Sequence, residues 1–208
     1  VIHTYPAIEG IRENFLKNIL TYGKYGENSY PLHHIIFAFI NPFEVGTFYF
    51  KLISLIWSSL SIIFFYLIIY QRFNFKLHQV LFLASLLLLS PYFRSSAFWG
   101  MTENTGLLFL MLSIYFYNNF KINNSNNNIF FVCLFSSLSL YSRIQNIFIC
   151  LFYFIDIFIR SSNKKKIFLI SSFAILAVPC VILIYIWGGI IDEQHAGELN
   201  HLINFSTI

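Results

Sequence analysis

Three polar stretches carry the residue types that chemistry needs, and each interrupts an otherwise apolar run. The first is Tyr92-Phe93-Arg94-Ser95-Ser96-Ala97-Phe98-Trp99-Gly100-Met101-Thr102-Glu103-Asn104. A cavity lined by Arg94, Glu103 and Asn104 could hold a polar or anionic substrate, since irregular backbone at membrane depth needs protein or water to cover it. The alternative is that Arg94 pairs with Glu103 and holds the stretch shut. The second is Ser142-Arg143-Ile144-Gln145-Asn146. A guanidinium stays charged and donates two parallel hydrogen bonds, which suits phosphate. Arg143 with Gln145 is therefore a candidate phosphate contact, and snorkelling of Arg143 to lipid headgroups is the alternative. The third runs from Trp187 through Gly188, Gly189 and His195 to Asn200 and His201. Paired glycines let backbone approach a partner closely. His195 could position or deprotonate a sugar hydroxyl near neutral pH, and Asn200 could hydrogen-bond the sugar. A plain exposed loop is the alternative.

Other chemistries find no pattern. Adjacent His33 and His34 do not share one helix face, and no Cys/His/carboxylate spacing for a metal is legible. There is no Gly-rich dinucleotide loop, P-loop or Ser/His/Asp order. Cys133, Cys150 and Cys180 sit inside apolar runs and read as small buried hydrophobes. No Lys/Arg cluster interleaves with aromatics in a polar context, which argues against nucleic acid as a partner.

The elements that must position these stretches are apolar helices. The sequence is 57% hydrophobic and 11% charged, with a mean hydropathy of +0.67. A water-facing domain carries about 25% charged residues, so lipid must cover most of this surface. A span needs roughly 20 apolar residues, which segments 47–70 and 167–187 supply. Segments 78–90 and 106–117 are apolar but short. Segment 129–159 is too long for one upright span, and Arg143 interrupts it. Two short helices, 129–141 and 147–159, meeting at a polar corner are preferred to one tilted helix, because an Arg at the midplane costs about 2.5 kcal/mol or more. Residues 8–20 form an amphipathic interfacial helix. Tyr30-Pro31 fixes an extended entry to a short apolar stretch at 35–40, which is interfacial or re-entrant. No internal repeat is legible.

Charge then assigns sides. Arg72, Lys76, Lys121, Arg160, Lys164, Lys165 and Lys166 all fall in loops on one side of this arrangement, which the positive-inside rule makes cytoplasmic. The three polar stretches fall on the other. The expectation is an all-α, polytopic transmembrane helix bundle with interfacial or re-entrant helices. Residues 1–46 would be an exofacial loop and 47–208 a core of about six membrane-embedded helices. Val1 in place of Met, and an apolar run opening at Ile208, lead us to expect a fragment.

Three matches together resemble the GT-C superfamily of membrane glycosyltransferases. The stretch Ile2-His3-Thr4-Tyr5-Pro6-Ala7-Ile8-Glu9, followed by Tyr30-Pro31-Leu32-His33-His34, looks like that superfamily's first exofacial loop. Phe98-Trp99-Gly100-Met101-Thr102-Glu103-Asn104 is similar to its Thr-Glu helix opening. Trp187-Gly188-Gly189 with His195 and Asn200 is similar to a loop of dolichyl-phosphate-glucose α-1,2-glucosyltransferases and their bacterial relatives. The resemblance covers nearly the whole chain through short, degenerate motifs. It implies a polyprenyl- or dolichyl-phosphate-linked sugar as co-substrate, no other cofactor, and a glycan or lipid acceptor. It implies a multi-pass location in a bacterial inner membrane or the endoplasmic reticulum membrane. Arg143 or Arg94 would bind phosphate; Glu103, His34 and His195 would line the sugar or acceptor side, with Glu103 and His34 as catalytic candidates; Trp187 would belong to the sugar pocket. The superfamily's base is a carboxylate of the first exofacial loop, and no Asp precedes Asp156 here. That base is expected upstream of Val1, with Glu9 a weaker substitute. A transporter or lipid flippase without chemistry is the competing reading.

Overall fold

The computed structural model describes residues 4–21, 31–73 and 75–187. Among them lie ten α-helices and one 3-10 turn. Two of these helices are long and apolar enough to cross a membrane, and a bent pair would make a third. Large apolar side chains such as Leu55, Ile63, Phe82, Leu89, Ile175 and Ile182 face outward. The chain is an all-helical integral membrane protein.

The N-terminal segment departs from the single amphipathic helix expected at 8–20. Helix α1 (Thr4–Glu13) stops at Asn14, and α2 (Phe15–Leu20) starts beyond it. Asn14 is extended, with its side chain accepting from the Lys17 amide, so the local bond that caps α2 also breaks α1. Helix α3 (Leu32–Ile40) begins three residues earlier than expected. Pro31 is its N-cap at φ −72°, ψ 7°, and Tyr30, on which the extended entry was expected, lies outside the described residues.

Helix α4 (Phe48–Arg72) is capped by Thr47, whose hydroxyl accepts from the Phe50 amide at 3.3 Å. Its 25 residues rise about 37 Å, enough to span with some tilt. Ser54, Ser58 and Ser61 form a buried small-residue line along it, which lets a neighbouring helix approach closely. That neighbour is α7 (Thr102–Asn123), which is 22 residues long rather than the short 106–117 segment expected. Hydropathy alone truncates it, because its polar opening turn packs against protein: Thr102, Asn104 and Thr105 are buried.

Between them, α5 (Leu77–Leu89) and α6 (Pro91–Trp99) return the chain with a 69° bend. The stretch expected as an irregular loop at 92–104 is thus mostly helical. Ser90 precedes a proline and is extended, its hydroxyl caps the Phe93 amide, and Pro91 takes the first helical position. Gly100 ends α6 in the left-handed region at φ 62°. A Cβ there would also stand 2.6 Å from the Ser54 hydroxyl, so this position has room only for glycine.

Helix α8 (Asn126–Ser142) opens inside the Asn tract under a Ser125 cap. Arg143 is extended, Ile144–Asn146 form the 3-10 turn, and α9 (Ile147–Arg160) runs back. The polar corner is therefore present, and the single tilted helix is not. Helix α10 (Asn163–Trp187) lies along α8, joined by a hydrogen bond from the Tyr141 hydroxyl to the Leu176 carbonyl.

Cross-helix bonds fix which ends lie together. Gln71 of α4 donates to Asn119 of α7 at 3.3 Å, and Lys165 of α10 donates to Asn124 at 2.8 Å. Asp156 accepts from Arg160 at 2.9 Å and from the Tyr117 hydroxyl at 2.8 Å, with Lys121 3.9 Å away. These contacts gather basic residues of α7, α9 and α10 at one end of the bundle. Around them pack Tyr117, Phe120, Ile129, Tyr153, Ile157 and Leu169. A second core of Ile8, Phe37 and Phe50 holds α1 and α3 against the opposite end.

Candidate functional site

The opposite end is where the polar corner meets the start of α7. The Arg143 guanidinium donates to Glu103 Oε1 at 2.7 Å. The two side chains are 28% and 18% exposed, so the pair is largely withdrawn from water without being sealed. Glu103 sits in the first turn of α7, where the helix dipole favours an anion. Its second oxygen, Oε2, is buried and makes no well-formed hydrogen bond among the described residues. Tyr92 of α6 interacts electrostatically with both members of the pair, while its residue is 62% exposed.

Gly106 makes this geometry possible. A Cβ at that position would stand 2.9 Å from Arg143 Cγ and 3.1 Å from its Cβ. One turn of α7 separates Gly106 from Glu103, so the arginine stem crosses the bare backbone and its head reaches the carboxylate. The Gly106 carbonyl accepts from the Ser139 hydroxyl at 2.9 Å, and Asn146 donates to that same hydroxyl oxygen at 2.8 Å. The corner is thus bonded to α7 and to the end of α8.

A second polar chain lies deeper. His33 Nε2 contacts the Gly100 carbonyl at 2.8 Å, and Nδ1 contacts the Thr105 hydroxyl at 2.8 Å. A carbonyl only accepts, so Nε2 carries the proton. The Trp57 indole donates to the Thr105 oxygen at 3.0 Å, leaving the threonine proton for Nδ1. Burial pushes the His33 imidazole down to about 4 and lowers His34 well below the usual histidine range. His34 is likewise fully buried, 0% exposed.

Asn104 is also interior, 3% exposed. Its amide donates to the Ser58 hydroxyl at 3.1 Å and to the Phe93 carbonyl at 3.2 Å. It pins α7 to α4 and α6 rather than facing a cavity. Arg94 is exposed on α6, and Glu103 binds Arg143, so the alternative in which Arg94 pairs with Glu103 is not seen among the described residues. Gln145 is exposed on the corner. Trp187 closes α10, and His195 and Asn200 lie outside the described residues.

The structure therefore brings together Tyr92, Glu103, Arg143 and Asn146 from the two polar stretches and adds Gly106 and Ser139. A lone glycine in an apolar helical run signals close approach, and Gly106 is such a residue. Ser139 carried no comparable signal, while Tyr92 and Asn146 stood in the two polar stretches without a role of their own. Nearby, Lys51 stacks on Trp99 at 4.5 Å and Phe98 at 4.9 Å, and the Tyr5 hydroxyl donates to the Trp99 carbonyl at 3.3 Å. Amphipathic aromatics of this kind sit at membrane–water boundaries.

No protein-family model, curated protein or solved structure matches the chain.

Proposed function

We propose that the chain is a membrane glycosyltransferase of the GT-C type. It would move a hexosyl group from a polyprenyl-phosphate donor to a glycan or lipid hydroxyl at the non-cytoplasmic face. The observation that carries this reading is the Arg143–Glu103 pair, held at one end of a lipid-covered bundle and partly open to water. A donor with its tail in the bilayer carries its phosphate at the interface, where a guanidinium at a membrane-embedded corner can meet it.

In the transfer, the acceptor oxygen bonds to the anomeric carbon as the bond from that carbon to phosphate oxygen breaks. The electron pair leaves with the polyprenyl phosphate, and the hydroxyl proton passes to a carboxylate. Arg143 takes the phosphate, with Arg94 and Gln145 exposed as further polar contacts. Glu103 is the carboxylate within this chain's described residues that faces the phosphate ligand. Asn104 and His34 become positioning residues of the helix packing beneath. His195, Asn200 and Trp187 complete the sugar side in this reading.

The test is transfer of labelled sugar from a polyprenyl-phosphate donor in proteoliposomes, comparing the chain with Arg143→Ala. Loss of transfer with retained insertion is the expected result. Full activity in the variant would remove the assignment. Movement of label across the bilayer without transfer would favour transport.

A further inference from the structure

Arg143 already holds an anion, and that anion belongs to the protein. Glu103 Oε1 occupies the guanidinium at 2.7 Å, at the opening of α7, where the N-cap residue Met101 offers no side-chain acceptor. An external phosphate seeking the same guanidinium meets a tethered carboxylate that is always at high local concentration. We propose that Glu103 is a built-in counter-ion that a lipid-linked phosphate must displace, so that the ion pair is a latch opened by the substrate's own headgroup. This rests on the glycosyltransferase reading and specifies how its phosphate subsite is regulated.

Three features fit displacement better than a permanent strut. Glu103 puts one oxygen on Arg143, while Oε2 is buried with no well-formed bond among the described residues, so Arg143 holds the carboxylate through a single contact with the Tyr92 phenol as its other polar neighbour. A partly buried charge pair contributes little net stability, because desolvation offsets the attraction. Its exchange for the singly charged phosphodiester of a lipid-linked sugar is therefore accessible. Tyr92 interacts with both members of the pair from the more exposed side, so a carboxylate leaving Arg143 keeps a phenol donor beside it. The stem of Arg143 is wedged against Gly106, which keeps the guanidinium in place while its partner changes. Binding and release of the carboxylate are then one event: phosphate arrival frees the group that accepts the acceptor's proton.

The experiment measures binding of a polyprenyl monophosphate, with the uncharged polyprenol as control, to the chain in nanodiscs. Glu103→Gln removes the competing charge and keeps the shape, so the monophosphate should bind about tenfold tighter or more than to the unaltered chain. Arg143→Gln should abolish the preference for monophosphate over polyprenol. Glu103→Met, of similar volume, repeats the measurement should the glutamine variant not assemble. Equal or weaker binding by the Glu103 variants overturns the latch. Tighter binding by Glu103→Gln, with no sugar transfer by the unaltered chain, upholds the latch and removes the glycosyltransferase reading.

Discussion

The stem of Arg143 lies so close over Gly106 that a methyl group there would stand 2.9 Å from its Cγ. Gly106→Ala should therefore push the guanidinium off Glu103. Overpacking of this kind costs about 1–3 kcal/mol. Thermal melts in detergent should show the loss, and it should shrink by more than half in an Arg143→Ala background. An unchanged cost in that background would show that Arg143 is not what Gly106 accommodates.

Because Asn104 donates to Ser58 and to the Phe93 carbonyl from the interior, Asn104→Ala leaves two buried acceptors short of a donor. Each unmade buried bond costs about 1–3 kcal/mol. A lowered melting temperature is expected, without loss of phosphate-lipid binding by the fraction that remains folded. Loss of binding at unchanged stability would restore Asn104 to a substrate-contact role.

Stability should fall on acidification. His33 has its folded value lowered from 6.5 to about 4, so the unfolded chain binds the proton more readily. The stabilisation is complete above the unfolded value and is lost as pH falls through the window from 6.5 toward 4. The lost contribution is at most about 3 kcal/mol for this group. His34 shifts in the same direction. Melts at pH 7 and pH 4.5 measure the slope, and His33→Phe should flatten it at the cost of lower stability throughout. An equal slope in His33→Phe would place the acid sensitivity elsewhere.

Replacing Arg143 by Lys keeps charge but loses the planar pair of donors. Transfer from the polyprenyl-phosphate donor should survive in part in Arg143→Lys and vanish in Arg143→Ala, as read by sugar-transfer rates. Identical loss in both would mean that geometry rather than charge is what the position supplies.

Sidedness is testable without any assay of chemistry. Single cysteines introduced at positions 94 and 145, in a background lacking Cys133, Cys150 and Cys180, should react with an impermeant reagent from the same side. Cysteines at 121 and 164 should react from the opposite side. Labelling of 145 together with 164 would dissolve the shared site.

Helical class and the long apolar spans were legible in the sequence, because they follow from properties that each segment carries alone. An apolar length near that of the bilayer, a proline after Ser90 and charged residues at loop positions act locally, whatever the partners. The corner at Arg143 was legible for the same reason, since a charge in mid-run is costly wherever the helix packs. Only the tertiary structure decided which polar groups are interior. Asn104, His33 and His34 look like surface chemistry until Ser58, Phe93, Gly100 and Thr105 are brought to them from other helices. The choice of partner for Glu103 was equally invisible. Arg94 is nine residues away in sequence, whereas Arg143, forty away, wins because a bare glycine backbone lets its stem cross α7. Local sequence sets what each segment can bury, and the packing of helices against one another sets what each charge can reach.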